Sequence, residues 1–87
     1  MGKEDKYSLK YNSHFDRNLD RIDSFWQKAA LKAIEDKLAL YPSTFGTPLR
    51  QTLKGFRKLR IGDHRIVYRV RKDAVEILIV NTVQLYI

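Results

Sequence analysis

Two runs of alternating side chains flank the dipeptide Gly62-Asp63: Arg57-Lys58-Leu59-Arg60-Ile61 before it and His64-Arg65-Ile66-Val67-Tyr68-Arg69-Val70 after it. A two-residue loop with glycine in first place suits a type II′ hairpin turn and leaves one pairing of the strands. Ile61 then faces His64, Arg60 faces Arg65, Leu59 faces Ile66 and Lys58 faces Val67. Directly opposed residues point to the same side of a sheet. One side therefore carries Leu59, Ile61, Ile66 and Tyr68, an apolar set that can pack on helices. The other carries Phe56, Lys58, Arg60, Arg65, Val67 and Arg69.

The second side is where the charge of the chain collects. Residues 50–72 hold nine basic residues against the single acid Asp63, whereas the rest of the chain holds eight basic and nine acidic residues. A field this lopsided points to a polyanionic partner. Placing Arg60 across from Arg65 costs a few tenths to about 1 kcal/mol of folding stability, a cost relieved either by long side chains that splay apart on a solvated outer face or by an anion between them. Guanidinium groups make bidentate phosphate contacts, and a neighbouring lysine adds a movable point charge. Lys58, Arg60 and Arg65 form the centre of this candidate site, with Lys54, Arg57 and Arg69 as further phosphate contacts. Phe56 suits either stacking on a base or a place at the core edge.

The remaining sequence supplies the backing layer. Tyr7, Leu9 and Tyr11 alternate with Ser8 and Lys10, which predicts a half-buried strand. Asn12 or Ser13 caps a short helix with Phe15, Leu19 and Ile22 inward and Asp16, Arg17, Asp20 and Arg21 outward. Ser24 and Gln27 match a capping box. A second helix follows to about Leu40, burying Trp26, Ala30, Leu31, Ile34, Leu38 and Tyr41, and Pro42 ends it. Residues 43–51 read as an irregular connection. After the hairpin, Arg71-Lys72-Asp73-Ala74 reads as a turn and residues 75–83 as a final strand. The order β-α-α-β-β-β predicts an α+β fold, with two N-terminal helices packed on one face of a mostly antiparallel twisted sheet.

Eighty-seven residues predict one domain spanning 1–87, with 1–5 flexible. A chain of this size buries roughly 60–65% of its unfolded surface, and 44% hydrophobic residues can fill such a core. The absence of cysteine excludes disulfides and thiolate metal sites. His14 and His64 stand too far apart in sequence to suggest a metal site. No apolar run approaches the roughly 20 residues of a membrane span, and the N-terminus lacks a signal-peptide core. The expectation is a soluble, cytoplasmic protein with no cofactor and no membrane partner.

The stretch Leu53-Lys54-Gly55, followed by residues 58–70 with Gly62-Asp63-His64-Arg65-Ile66-Val67-Tyr68 at their centre, resembles the core motif of the RelE/ParE toxin superfamily of bacterial toxin–antitoxin modules. The order of elements agrees over about residues 7–83. The resemblance implies a cognate RelB-like antitoxin that wraps the toxin and blocks its basic site. The long apolar strand at 75–83 is a flank that such a partner would hide. For the RelE-like branch it implies a metal-independent, ribosome-dependent endoribonuclease that cuts mRNA in the A site with the 2′-hydroxyl as nucleophile. By position, Arg65 matches the central active-site arginine, Lys58 a catalytic lysine and candidate general base, and Arg60 a group supporting transition-state charge or contacting rRNA. His64 replaces a commoner tyrosine and is a lesser candidate acid or stacking residue. Family members also end their last strand with a Gly-His-Arg-like segment and then a tyrosine. Here Asn81-Thr82-Val83-Gln84-Leu85-Tyr86-Ile87 has neither Arg nor His, and Tyr86 is the candidate for the tyrosine. The ParE-like branch implies instead an inhibitor of DNA gyrase with no chemistry of its own. A catalytically silent RNA- or antitoxin-binding relative is the third reading.

Overall fold

The computed structural model describes residues 6–50 and 54–82. Strand β1 (Ser8–Tyr11) leads to helices α1 (Phe15–Asp20) and α2 (Ser24–Ala33), and α2 runs into a π-helical turn at Ile34–Leu38. A short helix α3 (Pro42–Phe45) and strands β2 (Thr47–Pro48), β3 (Arg57–Ile61), β4 (His64–Arg71) and β5 (Ala74–Thr82) follow. The five strands form one sheet in the order β1-β5-β4-β3-β2. Only the β1–β5 pair is parallel. This is the expected α+β fold, enlarged by α3 and β2 within the stretch expected to be irregular. The expected flexibility of residues 1–5 lies outside the described residues.

Helices and sheet meet in a single core. Phe15 and Leu19 of α1 and Ala30, Ala33, Ile34 and Leu38 of the longer helix pack on Leu59, Ile66, Tyr68, Val75, Ile77 and Val80. On β5 the inward residues are spaced two and then three apart. A bulge between Val67 and Tyr68 pairs Val67 with Ile79 but Tyr68 with Ile77, and the extra residue Leu78 shifts the alternation.

Several local expectations change. Asn12 does not cap α1. Its Oδ1 accepts a hydrogen bond from the His14 N–H at 2.9 Å, a local turn that sets up the helix behind His14. The capping box at Ser24 is not formed, because Asp23 is the N-cap and Ser24 is already helical. Gln27 instead donates its amide to the Ile22 carbonyl at 2.8 Å. Along the second helix Leu31 is only half-buried, and Tyr41, expected inside, is 50% exposed. The π turn is the physical reason for Tyr41. The Ala39 N–H bonds to the Ile34 carbonyl five residues back, and this wider turn rotates the chain so that Pro42, not Tyr41, faces the core. The final strand is also less of a flank than expected, since β1 covers it from Ala74 to Ile77.

A buried polar cluster fastens the 42–46 segment to the sheet. The Tyr68 hydroxyl, fully buried, donates to the Pro42 carbonyl at 2.6 Å. Arg57, opposite Tyr68 in the strand register, donates to the carbonyls of Ser43 at 2.8 Å and Gly46 at 2.6 Å. Burial raises the Tyr68 phenol above its ordinary value of 10.0, and the Arg57 guanidinium opposes that rise. Gly46 must be glycine, because a Cβ there would lie 1.8 Å from the Tyr68 hydroxyl. We expect Gly46→Ala to cost on the order of 1–3 kcal/mol by overpacking, and Tyr68→Phe a similar amount by orphaning buried partners. Because Tyr68→Phe removes the oxygen that the added methyl group would strike, the double variant should cost less than the two together. Urea unfolding of the four proteins checks this, and strictly additive costs would contradict it.

Candidate functional site: an open cationic sheet face

The register of β3 and β4 is the expected one: Arg57 pairs with Tyr68, Lys58 with Val67, Leu59 with Ile66, Arg60 with Arg65 and Ile61 with His64. Glycine at position 62 has φ +58, and Asp63 keeps a negative φ, the pattern a type II′ turn requires. Leu59, Ile66 and Tyr68 are buried against the helices. Lys58 and Arg60 are exposed on the opposite side, and Arg65, Val67 and Arg69 are half-exposed there.

Four strands therefore contribute rows across this face. Arg60 and Arg65 lie abreast near the turn. Thr47, Lys58, Val67 and Ile79 form the next row. Arg60 Nε donates to the Gly62 carbonyl at 2.9 Å, which draws its guanidinium toward the turn. Further along, Arg69 lies over the Phe56 ring, 5.5 Å from its centroid, and forms an ion pair with Glu76. Glu76 pairs in turn with Lys10 of β1. Lys54 is exposed in the turn that precedes β3.

The structure thus brings together Lys58, Arg60 and Arg65, with Phe56 and Arg69 beside them. It removes Arg57 and His64 from that set. Arg57 faces the core side of β3, and its guanidinium is committed to the Ser43 and Gly46 carbonyls. His64 is only 7% exposed and lies against Trp26 on the helical side, with ring centroids 5.3 Å apart. Neither of its two expected uses at the cationic face is open to it from there. Tyr86 lies outside the described residues. Glu76 and Lys10 were not anticipated as parts of the face. They reach it because β1 pairs with the end of the chain, a contact that no local pattern announces.

The Arg69 guanidinium, which donates to the Glu76 carboxylate, holds that carboxyl below its ordinary value of 4.5. A carboxyl lowered in the folded state contributes stability above its unfolded value, and the contribution is lost as pH falls through the folded one. Stability should accordingly decline below about pH 4.5. Denaturant midpoints measured between about pH 6 and pH 3 should fall less steeply in Glu76→Gln than in the parent. Parallel curves would show that the pair carries no such linkage.

Fold and face together define a small α+β domain with helices on one side of its sheet and clustered guanidinium and ammonium groups on the other. The family model described as "ParE toxin of type II toxin-antitoxin system, parDE" matches residues 9–83. The chain belongs to this toxin family, within the RelE/ParE superfamily. Among solved structures it is similar to the RelBE2 toxin–antitoxin complex of Mycobacterium tuberculosis, at 26% identity and TM-score 0.84 over 88% of this chain and 98% of that one. The isolated Escherichia coli RelE toxin superposes with TM-score 0.74 at 15% identity, over 92% of this chain and 87% of that one. The RelB–RelE complex of Methanococcus jannaschii gives 0.66 at 13% identity, over 84% and 88% of the respective chains. The latter two likenesses concern the fold. No curated protein matches the chain. Among the described residues no helix is long and apolar enough to cross a membrane.

Proposed function

We propose that this toxin acts on RNA at the ribosome, binding mRNA in the A site and cleaving it on the open face of the sheet. The observation that carries the reading is the placement of Lys58, Arg60 and Arg65 abreast on adjacent strands of a face that the helices leave uncovered. Arg65 holds the scissile phosphate. Lys58 takes the proton of the attacking 2′-hydroxyl as the 2′-oxygen bonds to phosphorus and the P–O5′ bond breaks, the same proton then passing to the leaving 5′-oxygen, and Arg60 stabilises the charge that develops on the phosphoryl oxygens. Phe56, with Arg69 over its ring, offers a surface on which a base can stack. A cognate RelB-like antitoxin is the partner that restrains the toxin. Similarity to chains of RelB–RelE complexes supports this.

A second reading is inhibition of DNA gyrase, favoured by the ParE description of the matching family. Translation in a purified system with intact ribosomes separates the two. Primer extension should show cuts in the A site that fall by about 100-fold or more in Arg65→Ala and by less in Lys58→Ala. Intact mRNA together with blocked supercoiling would overturn the nuclease reading in favour of the gyrase one.

A further inference from the structure

In sequence, the charges of α1 alternate in sign and look self-neutralising. In the fold they are sorted. His14, Arg17, Asn18 and Arg21 recur three to four residues apart, and they line a hollow of about 500 Å³ together with Asn12, Leu78 and Ile79. Asp16 and Asp20 do not line it. Neither Arg17 nor Arg21 forms an ion pair among the described residues. The Asn18 Oδ1 is buried with no hydrogen-bond partner among them, so the fold makes no use of that end of the amide. The hollow lies at β5 just beyond the end of its pairing with β1 at Ile77.

This hollow is continuous with the cationic face. Ile79, on its rim, sits in the row of Val67 and Lys58. Asn12 and Leu78 are shared with a smaller hollow of about 170 Å³ that includes Lys10, Arg69 and Glu76. A strand of phosphates crossing Arg65 and Lys58 therefore meets Arg17 and Arg21 when it passes over the β5 edge. Two guanidinium groups with amide groups beside them match a phosphodiester, to which arginine donates in bidentate fashion.

Resting on the RNA-binding reading, we propose that Arg17 and Arg21 form a second phosphate-binding site that extends the RNA track from the sheet face around the β5 edge onto α1. The site binds backbone, so it adds affinity and length dependence without base preference. An acidic peptide is the other polyanion that such a hollow would accept.

The test uses uridine oligonucleotides of two lengths, a trinucleotide and one of about twelve nucleotides. Affinity is measured by fluorescence anisotropy across a salt series for the parent, Arg17→Gln/Arg21→Gln, Arg17→Lys/Arg21→Lys and Arg65→Ala. Each phosphate contact on a single strand adds about 0.7 to the slope of log affinity against log salt. The Gln pair should reduce the slope for the longer RNA by about 1.4 and leave the trinucleotide unchanged. The Lys pair should restore the slope, a rescue that a folding defect would not show. An unchanged slope in the Gln pair would overturn the proposal, as would loss of polyglutamate binding in place of RNA binding. Arg65→Ala should weaken both lengths. If it weakens neither, the RNA-binding reading itself fails.

Discussion

The pairing of β3 with β4 through Gly62-Asp63 is the constraint on which the rest of the molecule depends. The side-chain period of a strand is two, so a one-residue slip would send Leu59, Ile66 and Tyr68 to solvent and pull Lys58, Arg65 and Val67 inward. Each buried large apolar side chain contributes roughly 1.5–3 kcal/mol. Juxtaposing Arg60 with Arg65 costs at most about 1 kcal/mol. Burial wins, and the charged residues are held abreast because their neighbours must be inside. The cationic face is in this sense a consequence of the core.

The hairpin is fastened from the helical side at both ends. At one end the Tyr68–Arg57 cluster ties it to the 42–46 segment. At the other, Trp26 of α2 lies against the turn so closely that a Cβ on Gly62 would fall 2.3 Å from its ring, and the same indole stacks on His64. Gly62 in turn accepts from Arg60. Packing on the helical side thus sets where a charged group on the other side sits. Both anchors leave the outer face clear for a ligand.

The hairpin, its register and the two sets of side chains were legible in the sequence because a tight turn and a period of two are local signals. The central trio Lys58, Arg60 and Arg65 followed from them. Arg57 and His64 were harder to place. Charge and motif position nominated them, while strand parity put them on the inner side, and parity decided. The exposure of Tyr41 is not legible because a π turn is a departure of one residue in hydrogen bonding that leaves no clear mark on composition. The bulge at Leu78 hides in an apolar run where every residue suits either side. The β1–β5 pairing, which brings Lys10 and Glu76 to the face, joins opposite ends of the chain and has no local signature. For the same reason the sorting of the α1 charges became visible only once that helix was set beside β5.

RNA is proposed to meet the outer face of the sheet, and not the α2 side of the helical layer. Amide chemical-shift mapping on titration with a short single-stranded RNA tests this most directly. Shifts should concentrate at Lys58, Arg60, Arg65, Val67 and Arg69, with Ala29, Lys32 and Asp36 of the helical layer unmoved. Shifts centred on that helical layer, with β3 and β4 silent, would contradict it.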